Sequence, residues 1–529
     1  MSPTRRTLLA GSAVLATAPL AQPAFSQVES RVLRFIPQAD VTILDPMNTT
    51  ATPTRNHGHM VWDTLYGLDG AMQPSPQLAA GHVVEDDGRR WTFTLRDGPT
   101  FHDGEPVRAR DAVASVRKWM LRDTLGQTLS ERLDEIRALD DRRFEMRLKR
   151  PFGPMLDGLA KTASYPCFVY PERHATQDPN RALTEVVGSG PYRFVPEERV
   201  SGSQLVYRRY DRYVPAPGEA VMTAGPKLAT FERVEWKVIQ DPATAAAALQ
   251  AGEVDWWEQV APDLRPLLTR ARNVVVDLIE TAGTIPSLRP NHLHPPFDDP
   301  AVRRALWASI PQAEVMTSIM GDDRSLWTDG VGAFPKGSPL ENDAGLSALT
   351  APRNIEATRR ALAATGKAGA KVVVLHPTDV ANNNAMTIVI VDYLRRIGFD
   401  AESAISDWGT VLQRRARKTP PDAGGWNAVI AIFNGLELMN PGNNPLLRAN
   451  GDGAWFGWPR SERLESLRDA WFDAPSLDAQ RTIARDIQTQ FFQDVPHWPL
   501  GQYQVASAYR RGLTGIRRGF TTPLNARRG

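Results

Sequence analysis

His57-Gly58-His59 and His292-Leu293-His294 each place two imidazoles two residues apart. On a strand, positions i and i+2 project to the same side, so either pair has the spacing to chelate a transition metal. On a helix the two rings diverge by ~200°, and His57-His59 falls at a predicted helix start. Solvation or hydrogen bonding is the commoner fate of such residues. The single cysteine, Cys167, sits in Tyr165-Pro166-Cys167-Phe168, an apolar setting suited to an inert buried thiol. Gly188-Ser189-Gly190-Pro191 could imitate a nucleophile loop, but a proline directly after it fits a turn better. The sequence contains no GxSxG, Walker A or HExxH pattern. A secreted hydrolase would need a nucleophile–base pair, and the sequence offers none.

Binding chemistry is better represented. Trp426, Phe433, Asn434, Asn443, Asn444, Trp455, Phe456 and Trp458 mix aromatic faces with amides. That combination suits a flat, amphipathic or cationic organic solute, although half of these residues would simply fill a core. Trp455-Phe456-Gly457-Trp458-Pro459 lies between loop-like residues, which predicts partial exposure toward a cleft. Trp257 follows Trp256 and is either core or ligand wall. Arg289 is placed to pair with a ligand carboxylate or to make a surface salt bridge.

The elements that must hold these residues alternate between strand and helix. Val83-Val84-Glu85 runs into the turn Asp86-Asp87-Gly88, and Trp91, Phe93 and Leu95 then alternate with Thr92 and Thr94 as in a half-buried strand. Asp97-Gly98 and Asp103-Gly104 flank an exposed-looking Phe101-His102. Val113, Val116, Trp119 and Met120 form one face of a helix that Asp111 can start. Further along, His57 to Tyr66 is helix-like, and Phe144 to Leu148 and Val234 to Ile239 are strands. The Ala-rich helix Ala243 to Ala251 ends at Gly252. Val372 to Leu375, Met386 to Ile397 and Phe399 to Ile405 make a βαβ unit. Trp408 opens another helix, and Gly425 to Val429 another strand. Periodicity alone gives mixed α/β.

Trp91 to Ser115 carries the pattern W-x-F-x-L-R-x-G-x-x-F-x-D-G-x-P-x-x-A-x-D, with Ala112 following Asp111. It resembles the signature of the family 5 extracytoplasmic solute-binding proteins, the dipeptide, oligopeptide and nickel binders of ABC importers. Gly188-Ser189-Gly190-Pro191-Tyr192, the Ala248 to Asp255 unit, Asn291 to Ala305 and Trp498-Pro499-Leu500 extend the resemblance over nearly the whole mature chain. It implies a two-lobe α/β periplasmic binding protein fold of the type II-like class with an extra domain, its ligand cleft between the lobes. Domain I would be discontinuous (27–70, 188–282 and 497–529), domain II would span 71–187 and domain III 283–496. The resemblance also implies that the loop Thr49 to Thr52 reaches the ligand. In peptide-binding members an Asp pairs with the peptide's free amine. Aligned here, Phe433 takes the place of a Trp, Asn440-Pro441 replaces Asp-Pro, and Leu436 stands where the carboxylate would be, or Glu437 if the register slips by one. A buried ammonium without a counter-charge is strongly disfavoured. The candidate ligand-binding residues are therefore Thr52, Trp257, Arg289, Trp408, Phe433, Asn434 and Trp455. His57, His59, His292 and His294 are the alternative for a nickel or metal-chelate binder, and a periplasmic chaperone-like peptide holder is a further rival. No cofactor is expected.

The first residues read as an address. Thr4-Arg5-Arg6-Thr7-Leu8-Leu9 is a twin-arginine pattern, followed by an apolar run to Leu20 and a small-residue exit at Ala24-Phe25-Ser26. Residues 1–26 are thus a predicted signal peptide, cleaved after Ser26, which sends a folded protein to the periplasm. Removing Arg5 and Arg6 leaves 60 basic against 60 acidic residues, so the basic face that a nucleic-acid binder needs is missing. One cysteine excludes an intramolecular disulfide, so stability must come from more than one core. The implied partners are a small-molecule or short-peptide ligand and an inner-membrane ABC permease with its ATPase subunits, served by a monomer.

Overall fold

A computed structural model of the chain describes residues 31–529, apart from 179, 180, 182 and 184. The twin-arginine pattern and the cleavage point after Ser26 lie outside the described residues. Two seven-stranded sheets and a four-stranded sheet carry the architecture, with two short two-stranded ribbons beside them.

The first large sheet gathers strands from both ends and the middle of the chain. Its order is Val274–Asp277, Ser507–Arg510, Trp256–Trp257, Val32–Ile36, Arg233–Lys237, Gln204–Arg209 and Tyr192–Phe194. Val32–Ile36 runs parallel to Arg233–Lys237 and to Trp256–Trp257. The crossover between those two neighbours is the helix Pro242–Ala251. Asp241 starts it by accepting from Thr244 N–H at 2.8 Å, and Gly252 stops it with φ 80°, a left-handed conformation that glycine adopts without a Cβ penalty. Side chains alternate across this sheet. On one face Phe35 lies 5.5 Å from both Trp236 and Trp256; on the other, Ile36, Leu249, Trp257, Val260 and Leu268 pack together under the helix.

The second large sheet runs Trp327–Thr328, Gln502–Tyr503, Thr284–Pro290, Ala428–Asn434, Lys371–Pro377 and Asp400–Ser406, with Trp498–Pro499 also pairing Thr284–Pro290. Lys371–Pro377 and Asp400–Ser406 are parallel and joined by the helix Ala381–Ile397, which Gly398 ends at φ 108°. The expected βαβ unit is present, its helix beginning five residues earlier than the apolar run from Met386. The strand expected at Gly425 to Val429 instead spans Ala428–Asn434, which carries Phe433 and Asn434 to its exit end.

The chain passes between the two sheets twice, side by side. It leaves the first after Asp277 and enters the second at Thr284. It returns from Gln502–Tyr503 to Ser507–Arg510.

The four-stranded sheet is antiparallel, in the order Ala79–Glu85, Arg90–Leu95, Arg143–Leu148, Leu133–Ala138. Trp91, Phe93 and Leu95 are its core, as their alternation predicts. Phe93 stacks on Phe144 with centroids 4.9 Å apart, a contact worth ~0.5–1.5 kcal/mol beyond burial itself. The helix that follows is Ala109–Met120, and Asp111 stands inside its first turn, accepting from Arg108 N–H at 2.8 Å.

Two expectations are corrected. The helix foreseen over His57 to Tyr66 spans Thr52–Val61. Pro53 fixes its first turn, and Trp62 leaves it in extended backbone, so the histidines sit in its later half. Phe101 and His102 are buried rather than exposed. The Phe101 carbonyl accepts from Tyr210 hydroxyl at 2.7 Å, and His102 Nε2 donates to Gly190 O at 2.9 Å. The second half of the signature thus clamps the Gly188-Ser189-Gly190 turn. That turn runs so close to the helix end that a Cβ on Gly190 would lie 2.7 Å from the Val61 carbonyl carbon.

Candidate functional site

A cavity of about 930 Å³ lies where the chain crosses between the two large sheets. Glu280, Gly283 and Thr284 line it from one crossing, Tyr503, Gln504 and Val505 from the other. Gln38, Thr52, Arg55 and Glu258 come from the first-sheet side. Trp408, Arg415, Phe433, Asn434, Glu437 and Trp455 come from the second, and Asp123, Lys161, Ser164 and Tyr165 from the segment carrying the four-stranded sheet.

The aromatic wall is built in layers. Phe433 meets Trp455 edge-on at 5.7 Å, and Trp455 meets Phe456 at 5.1 Å. Behind them Arg289 is fully buried. Its Nε donates to Phe456 O at 2.7 Å, and its terminal nitrogens donate to Leu446, Pro496 and Trp455 carbonyls at 3.0 Å. Burial pulls its pKa down to about 9. On the cavity side, the Arg415 guanidinium lies 4.9 Å from the Phe456 ring centroid, 5.4 Å from Trp455 and 5.9 Å from Trp408. Its buried Nε has no hydrogen-bond partner. Burial, with no acid nearby to offset it, holds its pKa below the usual guanidinium value.

The opposite wall is acidic. Glu258 accepts from Gln38 N–H at 2.6 Å and from Asn56 Nδ2 at 2.7 Å. Burial, with Glu280 as a nearby like charge, pushes its pKa up to about 8. Arg55 donates to Asn56 Oδ1 at 3.0 and 2.9 Å and lies 4.8 Å from the Phe520 ring centroid, so it compensates Glu258 through the amide rather than by direct contact. Lys161 is bonded to Asp123, a pair buried in the cavity floor. Ser164 donates its hydroxyl to Glu437, whose other oxygen accepts from Asn434 N–H at 3.2 Å. Two helices, Thr52–Val61 and Ala381–Ile397, begin at the cavity without a side chain capping them. Their unsatisfied N–H groups favour negative charge there.

Thr52, Trp408, Phe433, Asn434 and Trp455 therefore meet at one cavity. Two candidates do not. Trp257 is core: strand alternation turns it under the helix Pro242–Ala251, and its successor Glu258 faces the cavity instead. Arg289 cannot reach a ligand carboxylate because backbone carbonyls occupy its donors. Trp426 is likewise core, packed with Leu375, Val411 and Val429. Leu436 is buried away from the cavity, so the carboxylate near the expected amine position is Glu437.

The histidines do not form a metal site. His57 Nδ1 bonds the Tyr207 hydroxyl at 2.8 Å, and burial takes its pKa down to about 3. His59 sits between Phe168 and Phe520. His292 and His294 bond separate backbone carbonyls, of Pro496 at 3.4 Å and of Lys418 at 2.8 Å. None of the four lines the cavity. Among the described residues no group of three or more His, Cys, Asp or Glu is placed to hold a metal ion, and no helix is long and apolar enough to cross a membrane.

Sequence reasoning missed Glu258, Glu280, Arg415 and the Lys161–Asp123 pair. Glu258 had a signal: a carboxylate directly after two tryptophans in a strand must face opposite the second of them. Arg415 had none, since Arg414-Arg415-Ala416-Arg417-Lys418 reads as a solvated basic run.

Residues 73–443 match the family model described as bacterial extracellular solute-binding proteins, family 5 Middle. A probable peptide ABC transporter periplasmic-binding protein of Sinorhizobium fredii is 34% identical over 479 residues, covering 90% of each chain. The fold matches that of the binding protein AgaA of A. tumefaciens, solved with agropinic acid, at TM-score 0.75 and 20% identity, over 94% of this chain and 99% of that one. It also matches the periplasmic binding protein DppA of Helicobacter pylori, solved with a peptide, at TM-score 0.74 and 20% identity, over 94% and 98%.

Proposed function

The chain belongs to family 5 of the bacterial extracellular solute-binding proteins, and on that premise we propose that it captures a short peptide or peptide-like organic solute and delivers it to an inner-membrane ABC permease with its ATPase subunits. The observation that carries this is the cavity of about 930 Å³, whose walls come from both large sheets and whose back is the pair of chain crossings. Two adjacent crossings act as a hinge: the walls part to admit the solute and close on it, so binding energy shifts an open–closed equilibrium that the permease reads. The hinge separates 283–503 from the rest, later than the expected boundary at 496 because Trp498–Pro499 and Gln502–Tyr503 pair within the second sheet; 31–70, 188–282 and 504–529 form one domain, and 71–187 is an insertion. A second contact spans the closed walls. Arg132 is bonded to Asp473, and Phe152 stacks on Phe472 at 5.9 Å.

The family is a transport family, and the role assigned here is binding without turnover. The protein acts in the periplasm as a monomer, exported by its twin-arginine signal with cleavage after Ser26. Thermal-shift measurements on the purified mature protein test the reading. The panel comprises short peptides, opine-type amino-acid conjugates, sugars and nickel. A peptide or peptide-like solute at ~100 times its Kd stabilises the protein by ~2.7 kcal/mol. Stabilisation by sugars or nickel alone would end this assignment.

A further inference from the structure

Away from the cavity, the insertion 71–187 meets 283–503 along a second seam. The helix Thr124–Arg132 and the loop after Leu148 form one side of it, and the end of the helix Glu462–Asp473 forms the other. Arg132 sits at the centre. Its side chain is 2% exposed, with the guanidinium 5.6 Å from the Phe152 ring centroid and 5.4 Å from that of Phe472. The two rings stack at 14° between planes. One terminal nitrogen of Arg132 donates to Pro151 O at 2.6 Å and is bonded to Asp473; Nε and the other terminal nitrogen are buried without a hydrogen-bond partner. Beside this pair Gly153 N–H donates to Phe472 O at 2.7 Å. Gly442 lies so near the other side that a Cβ on it would stand 2.6 Å from Leu125 Cδ1. None of Arg132, Phe152, Gly153, Phe472 and Asp473 lines the cavity.

Asp473 has no use to its own helix. It is the last helical residue, where the dipole disfavours a carboxylate, and its side chain is 47% exposed. Its partner is the cation across the seam. When the walls part, Arg132 keeps Phe152 and Pro151 O, which belong to its own body, and its unbonded nitrogens reach water. When the walls close, Arg132 is sealed under Phe472, and a buried cation without its counter-charge is strongly disfavoured. We propose that the seam is a latch, an aromatic slot for Arg132 secured by Asp473 and by the Gly153–Phe472 backbone bond, which favours the closed form whatever solute the cavity holds. This rests on the hinge reading above and adds to it a second control of the open–closed equilibrium, remote from the solute. Because the latch residues lie outside the cavity, they change the affinity for every solute by one common factor, the factor by which they raise the closed fraction.

The test is small-angle scattering of the purified mature protein with no solute added. Gly153→Ala supplies the open reference, because the atoms nearest its Cβ, Ala474 O and C and Phe472 O, all lie across the seam and not in its own body. Wild type is expected to have the smaller radius of gyration, and Asp473→Asn to move toward the Gly153→Ala value. Asparagine relieves the helix end, so the variant keeps its fold, which circular dichroism checks. Arg132→Met combined with Asp473→Asn removes the charge together with its partner and leaves a thioether between the rings, so it should return toward wild type. Damage to the fold would show no such recovery. In calorimetry, a randomised tripeptide pool and an opine-type amino-acid conjugate are the probes. Any probe that binds wild type is weakened about tenfold by Asp473→Asn, the scale of a lost charge-assisted bond, and by the same factor for each. A wild type as extended as Gly153→Ala, an Asp473→Asn curve that matches wild type, no recovery in the double variant, or unequal factors for the two probes each overturn the latch. If the scattering series holds and neither probe binds, the latch stands and the peptide-like reading falls. If a probe binds and the series fails, the reading stands without the latch.

Discussion

Replacing Glu258 by glutamine measures the cost of the acidic wall. The residue is 3% exposed. It faces Glu280 as a like charge, Arg55 as an opposite one, and the donors Gln38 N–H and Asn56 Nδ2. Burial first, then Glu280, raise its pKa from 4.5 to about 8. The unfolded chain releases this proton near pH 4.5, whereas the folded chain holds it to about pH 8. Within that window the folded state binds more protons, so the contribution is fully present below the unfolded value and stability falls as pH rises. At ~1.36 kcal/mol per pH unit the loss totals about 5 kcal/mol, with about 3 kcal/mol of it between about pH 6 and about pH 9. Glutamine removes the titration. It also turns an NH₂ toward one of two donors, a cost of roughly 1 kcal/mol that does not vary with pH and cancels on comparison. Denaturant unfolding at both pH values, for both proteins, should show Glu258→Gln gaining about 3 kcal/mol on wild type as pH rises. Parallel pH profiles would refute the reasoning, because they would mean that the carboxyl ionises in the folded state as it does in the unfolded one.

Two further outcomes follow from the scaffold. Arg289→Met strips the donors from four backbone carbonyls, two of them in fully buried bonds, while removing a buried charge, so a net loss of roughly 3 kcal/mol is expected in denaturant unfolding. Ligand affinity should fall with it, since the Trp455–Phe456 wall hangs on those bonds; a stability change below about 1 kcal/mol would contradict the role. Gly190→Ala drives a Cβ against the Val61 carbonyl, 2.7 Å from its carbon, and should lower stability by ~1–3 kcal/mol, the usual cost of overpacking, with the melting temperature as readout.

The sheets were largely legible because their signals are local. Trp91-Thr92-Phe93-Thr94-Leu95 has one period and one buried face, and the structure buries that face. The Ala-rich helix is bounded by Asp241 and Gly252, whose capping chemistry needs no tertiary partner. Failures came where tertiary packing decided the outcome. Phe101-His102, between two Asp-Gly turns, looks like an exposed loop, yet it is pinned by Gly188, Gly190 and Tyr210, about ninety residues or more away. Pro53 was a usable start signal for the helix Thr52–Val61, but the apolar residues after His57 pulled the expected boundary toward Tyr66.

The cavity lining was legible in its uncharged residues, Thr52 and Asn434 as well as the aromatics, and not in its charges. Phe433, Trp408 and Trp455 could be nominated because a large apolar residue in a polar stretch is unusual wherever it falls. A charge is usual on any surface, and what distinguishes Arg415 from Arg414 is not its type. Arg414 donates to the Gly424 and Gly425 carbonyls at 3.1 and 2.8 Å, while the side chain of Arg415, next along the chain, turns toward the cavity with its buried Nε unbonded. Trp257 and Glu258 invert the same lesson: the aromatic residue went to the core and the carboxylate to the site. Arg289 shows that a charge can also be architectural, giving four of its five N–H donors to backbone carbonyls behind the Trp455–Phe456 wall. If the cavity binds the solute as proposed, the residues that choose it are those left unpaired when everything else has been satisfied. That is a property of the assembled cavity, and pairing across more than a hundred residues of sequence decides it.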